Sequence, residues 1–259
     1  MRRLILLLFV FFLSKESFSQ VNFLGKPGYI RIPSAKMIEG GESLNFTLAY
    51  LPIDYSINNF MFRSADELFY TAQIQPAKWL SVNFVLTRLI DVPRIGIGDR
   101  HLDLQFFILN QEKHGINLSA IITPVTNASF IEHNALILGR SFQLSPSFGV
   151  DFTAGYSLKY SFRKPFDDFN FVDTGYQWID KSLFGNRYLY GFFYGLQFNL
   201  KDVVFFSSEF DSEYYNFSLS TLLFKKLNLH LSLLDFQEPA AYISYRIFLD
   251  KSRIKELKK

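Results

Sequence analysis

Cysteine is missing from the 259-residue chain. Its absence excludes disulfides, thiolate metal sites and a lipid-modified N-terminal cysteine, and it leaves the compartment open. No stretch offers the roughly twenty uncharged apolar residues that a helical membrane span requires. An excess of one charge is also lacking, since the formal net charge is +3. Residues 1–19 alone hold Arg2, Arg3, Lys15 and Glu16, so the rest is close to neutral and carries no footprint for nucleic acid. The one glycine-rich pentapeptide, "GIGDR" (Gly96–Arg100), lacks the strand and helix that a phosphate-binding loop needs. His101, His114 and His133 show no metal-ligand spacing, and no cofactor is expected.

What the chain has in quantity is aromatic residues: 18% of the sequence, with 31 phenylalanines. That is more than an ordinary soluble core uses. At the N-terminus, Arg2 and Arg3 precede an apolar run from Leu4 to Leu13, followed by the small residues of Ser17-Phe18-Ser19. This pattern predicts a cleaved secretory signal over residues 1–19.

The mature chain alternates large apolar with small or polar residues. In "GVDFTAGYSLKYSF" (Gly149–Phe162), Val150, Phe152, Ala154, Tyr156, Leu158, Tyr160 and Phe162 lie on one face of a strand. Eleven further segments follow the rule: 43–51, 68–75, 79–88, 101–110, 115–123, 134–144, 187–200, 203–210, 213–224, 226–236 and 240–249. Most approach the nine to eleven residues of a tilted membrane strand. The connectors between them alternate long and short as far as residue 202, the longest being Arg163–Asn186, and the alternation fades afterwards. Such asymmetry separates the two ends of an outer-membrane barrel.

The two faces agree with that reading. Tyr50, Trp79, Tyr160, Phe162, Tyr188, Tyr190, Phe198 and Tyr245 recur near strand ends on the large-residue face, as interfacial girdles do. The opposite face carries Asn45, Asn83, Asp103, Gln105, Asp151, Lys159, Gln197, Asn228, His230 and Arg246, which suits a polar lumen. The fold class is therefore all-β: an up-and-down transmembrane antiparallel β-barrel of about twelve strands over residues 43–249. Residues 20–42 form a periplasmic lead-in outside the barrel, punctuated by Pro27, Gly28, Pro33, Gly40 and Gly41. Residues 250–259 form a basic periplasmic tail. Both termini are then periplasmic, lipid is the outer partner, and the lumen is narrow and lined with side chains.

"GYIRIPSAKMIEGGESL" (Gly28–Leu44) resembles the start of the YjbH-type exopolysaccharide-biosynthesis outer-membrane proteins, in Gly28, Pro33, Ser34, Ala35, Lys36 and Gly41. "PAKWLSVNFVLTR" (Pro76–Arg88) is similar to that family's Trp-Leu strand opening. "GDRHLDLQFFIL" (Gly98–Leu109) matches its next step through Asp99, Arg100, Asp103, Leu104 and Gln105. The likeness covers about residues 25–160. It departs at "TPVTNASFIEHN" (Thr123–Asn134), where an acidic Gly-Thr-rich stretch is expected, and the chain lacks the second large region of longer members. The resemblance implies a role in making or exporting a surface polysaccharide beside other envelope proteins, and it implies no catalytic residue.

Two further candidates come from the residues themselves. His230 and Ser232 share one strand face, as in outer-membrane lipid hydrolases that pair His with Ser. The bland alternative, that His230 is one more polar lumen residue, is preferred, and an enzyme is not expected. In the longest connector, Tyr176 and Trp178 beside Asp173 and Asp180 offer ring faces and carboxylates of the kind that contact glycans. An interfacial anchor or a plug of the barrel mouth are the other readings of those rings. A small-solute channel is the remaining functional alternative.

Overall fold

The computed structural model describes residues 20–37, 43–57, 65–92, 98–124, 132–163, 175–184 and 188–249. The signal, the tail and Asp173 lie outside the described residues.

Twelve antiparallel strands close into one barrel. They are β1 (Ser43–Leu51), β2 (Glu67–Ala77), β3 (Leu80–Leu89), β4 (Arg100–Leu109), β5 (Asn117–Ile122), β6 (Ala135–Ser145) and β7 (Phe148–Ser157), then β10 (Gly191–Leu200), β11 (Val204–Phe210), β12 (Tyr215–Leu223), β13 (Leu227–Leu234) and β14 (Glu238–Phe248). Each pairs with its neighbour in the chain, apart from the β7–β10 contact and the seam, where β1 pairs β14 from Ser43↔Phe248 to Tyr50↔Ala241. Between β7 and β10, the short strands β8 (Tyr160–Arg163) and β9 (Gln177–Asp180) form a separate hairpin.

Both ends of the barrel follow from turn chemistry. At the end carrying Ser43 and Phe248 the connections are short: 78–79, 110–116, 146–147, 201–203 and 224–226. At the far end, 52–66, 90–99, 123–134 and 158–190 are long, and only 211–214 and 235–237 are tight. Lys201-Asp202, Phe224-Lys225 and Asp235-Phe236 hold positive φ at both residues. That is the hairpin geometry whose twist matches the flanking strands.

Period two then sorts the side chains. Phe46, Leu48, Tyr70, Phe84, Leu138, Phe152, Tyr156, Leu219, Leu231 and Ile243 are exposed outside. Asn45, Thr47, Asn83, Asp103, Gln105, Asp151, Gln197, Asn228, His230 and Arg246 are buried inside. Trp79 stacks on Phe106 and Phe148 on Phe198 at one end, while Tyr156 meets Phe192 and Tyr194 meets Tyr215 at the other. An apolar exterior with aromatic girdles around a polar interior is the surface of a transmembrane barrel, and a soluble barrel has the reverse. Ten residues at about 3.4 Å each, tilted by about 40°, cover about 25 Å.

Three expectations need correction. The segment from Gly149 to Phe162 is not one strand, because β7 ends at Ser157 and the chain bends before β8. Parity does not carry through a bend, so Lys159 is exposed outside the lumen, with its ammonium 5.0 Å from the Tyr190 ring centre. Tyr188, expected on the lipid face, precedes β10 and is buried at the barrel mouth. The largest correction concerns the lead-in: every residue from Gln20 to Ala35 is buried, inside the barrel.

Candidate functional site

Residues 20–36 form a compact plug built on local hydrogen bonds. Asn22 organises the first turn: its Oδ1 accepts from the N–H groups of Leu24 (3.1 Å) and Lys26 (3.0 Å), and its Nδ2 donates to the Arg31 carbonyl (3.1 Å). Single β-bridges join Val21 to Pro27 and Gly28 to Pro33, folding the segment twice. Gly25 sits at φ +76°, and a Cβ there would lie 2.1 Å from Thr71 Oγ1 of β2. Only glycine fits a left-handed turn pressed so closely to the wall.

Apolar plug side chains fill the centre of the lumen. Phe23, Leu24, Tyr29, Ile30 and Ile32 pack with Phe69, Val85, Ile121, Ile137, Phe193 and Leu234 of the wall. Phe23 meets Phe69 edge-on at 5.1 Å. Twelve strands enclose more space than wall side chains alone occupy, and this segment takes up the remainder. A small cavity at the termini end is about 10 Å³, room for a single water, between Gln20, Asn228, Ser244 and Arg246.

Polar contacts set the register of plug against wall. Lys26 Nζ lies 2.6 Å from Asp103 Oδ2 and 2.7 Å from His133 Nε2, and His101 Nε2 is 2.9 Å from the same Asp103 oxygen. Arg31 Nη1 is 2.9 Å from Asp211 Oδ2, with its guanidinium among the rings of Phe23, Tyr188 and Tyr214. Glu209 accepts from three consecutive plug N–H groups, those of Ile30 (3.0 Å), Arg31 (2.7 Å) and Ile32 (3.3 Å). Lys36 reaches Asp151 at 3.3 Å nearer the termini end. The hydroxyls of Tyr188 and Tyr242 donate to the carbonyls of Arg31 (2.6 Å) and Tyr29 (2.8 Å). Each plug cation thus faces a wall carboxylate.

The expected residues divide accordingly. Asp103 and Asp151 are lumen residues that the plug engages, and Arg246 donates from Nε to Asn45 (2.9 Å) near the small cavity. Glu209 and Asp211 went unnoticed in the sequence. Their signal was a wall whose acids have no basic partners on neighbouring strands. His230 and Ser232 do face the lumen, but the His230 ring stacks on Tyr242 at 4.0 Å and neither ring nitrogen has a hydrogen-bond partner among the described residues. Among the described residues no carboxylate orients it, and orientation is what activates a serine in such pairs.

In the outer hairpin, Phe162 packs with Tyr176 (5.8 Å) and Trp178 (5.2 Å), and Trp178 is 59% exposed. Asp180 accepts from the Ser182 N–H (2.8 Å) and the Tyr190 hydroxyl (2.9 Å). Those bonds hold its carboxyl below the usual carboxylate range, the Ser182 contact contributing most. Lys181 next to it is buried and donates to the carbonyls of Tyr188 and Leu189, and burial lowers its ammonium pKa to about 8.

No family model matches the chain, and no curated protein matches it. Among solved structures, an outer membrane channel from Pseudomonas putida F1 is similar at 12% identity and a TM-score of 0.39, over 84% of this chain and 99% of that one. The Acinetobacter baumannii outer membrane protein Omp33 is similar at 7% identity and a TM-score of 0.35, over 81% and 99%. A porin mutant from Rhodopseudomonas blastica follows at 8% and 0.26, over 80% and 98%. At these scores the likeness carries no argument about function.

Proposed function

We propose that the chain is an outer-membrane conduit held shut by its own residues 20–36, and that it serves the production or export of a surface polysaccharide. One observation carries the reading. The plug is seated on a polar, charged wall through ion pairs and hydrogen bonds that water can replace. A wall meant to be filled permanently has no need of buried carboxylates, since apolar residues of similar volume serve stability as well or better. Five of the residues that carry the resemblance to the exopolysaccharide family, Gly28, Pro33, Ser34, Ala35 and Lys36, lie in the plug itself. The exposed Tyr176 and Trp178 provide ring faces at the long-loop end, which we place at the cell surface with both termini periplasmic. Other envelope proteins are the expected source of the signal that moves the plug.

The test is fractionation of a deletion strain and its parent, with surface polysaccharide measured in both. We expect the protein in the outer-membrane fraction and a loss of surface glycan on deletion. Unchanged glycan removes the polysaccharide cargo and leaves a plugged small-solute channel.

A further inference from the structure

We infer that the lumen, once residues 20–36 leave it, selects for cations, so that its cargo is neutral or amine-bearing rather than acidic. The inference rests on the plug acting as a gate. It follows from what the plug covers. Asp103, Asp151, Glu209 and Asp211 are all buried against it, and its own Lys26, Lys36 and Arg31 neutralise three of them. Glu209 is satisfied by backbone N–H groups instead. Among the described residues, Arg246 is the one buried Lys or Arg of the barrel strands, and it lines the small cavity at the termini end. His101 lies 2.9 Å from Asp103, and His133 lies 2.7 Å from Lys26.

The acids occupy more than one level and more than one side. Asp103 stands on β4, Asp151 on β7, and Glu209 and Asp211 on β11 and just beyond it. A cation crossing the vacated lumen meets carboxylates along the way, as the plug's own cations do now. A second feature is that the wall holds polar groups the plug does not engage. Thr47 Oγ1, Ser218 Oγ and both side-chain polar atoms of Asn228 are buried, face the lumen and have no hydrogen-bond partner among the described residues. Buried polar groups of this kind bind water or solute.

An acid-lined passage between low-dielectric walls concentrates counter-ions by about ten-fold or more. Potassium is therefore expected to outpace chloride. A chain of uronic acids or sulfated sugars is repelled, whereas neutral sugars or amino sugars are not.

The test is conductance in planar bilayers under a KCl gradient, on three folded proteins. The first is the mature chain, the second lacks residues 20–36, and the third is the full-length Lys26→Ala/Arg31→Ala variant, which keeps the plug and weakens its hold. Folding is checked by the electrophoretic shift on heating. We expect the mature chain to stay closed and the released proteins to conduct with a potassium-to-chloride permeability ratio of about ten. Adding Asp103→Asn, Asp151→Asn, Glu209→Gln and Asp211→Asn is expected to bring the ratio toward one. Conduction that favours chloride, or neither ion, overturns the selectivity and leaves the gate standing. If neither folded release variant conducts, the gate itself falls, and the selectivity with it.

Discussion

On one side of β12, Phe217 and Leu219 are exposed on the outer surface; on the other, Asn216, Ser218 and Ser220 look into the lumen. The outer residues need only to be apolar, because lipid is a uniform solvent and accepts many side chains equally. Two of the inner residues, Asn216 and Ser220, have particular partners. Ser220 accepts from Gln20 Nε2, two hundred positions away, and Asn216 donates to Glu209 (3.3 Å) and Asp211 (3.1 Å), the carboxylates that bind the plug. A uniform solvent tolerates substitution by class, whereas a specific partner requires the individual residue.

Mutations can break that contrast at either face, and the inner one should respond most. Arg31→Ala leaves Asp211 buried without its cation, and about 3–5 kcal/mol of stability should be lost. Urea unfolding in detergent micelles checks this, and a joint Arg31→Met/Asp211→Leu replacement should recover much of the loss. On the outer face, Leu219→Arg should cost about 2–4 kcal/mol by placing a charge in hydrocarbon, while Leu219→Ile should cost almost nothing. The same titration in vesicles separates the two. A smaller effect distinguishes plug from surface. Gly25→Ala combines a left-handed φ with a clash against Thr71 and should cost about 1–3 kcal/mol. Gly115→Ala has nearly the same φ with open space around it and should cost only about 1 kcal/mol.

The same contrast governs what could be read beforehand. Period-two alternation located all twelve barrel strands and assigned Asp103, Asp151, Asn228, His230 and Arg246 to the lumen, because a strand's parity is a local property. Lys159 failed where a bend interrupts that parity. The plug failed for a different reason. Its glycines and prolines read as punctuation, and nothing periodic shows that Phe23, Tyr29, Ile30 and Ile32 are core residues. A ledger of charge would have pointed to it. The wall holds buried acids almost without bases, and the missing bases, Lys26, Arg31 and Lys36, lie in the lead-in that the sequence pattern places outside the barrel. The aromatic cluster of Tyr176 and Trp178 was legible as an exposed surface, and its glycan contact stands as a proposal.

The seam between β1 and β14 has a consequence for how the chain reaches this state. Asn45 and Arg246 meet across 201 positions, and Tyr29 meets Tyr242 across 213. Loops of that length close slowly, because their entropy is lost before any contact compensates. A segment that binds β2, β4, β7, β11 and β14 at once can shorten that search by bringing distant hairpins onto one surface. In kinetic terms, residues 20–36 are a mould as well as a stopper, and weakening their grip should delay closure of the last strand pair before it changes anything that flows.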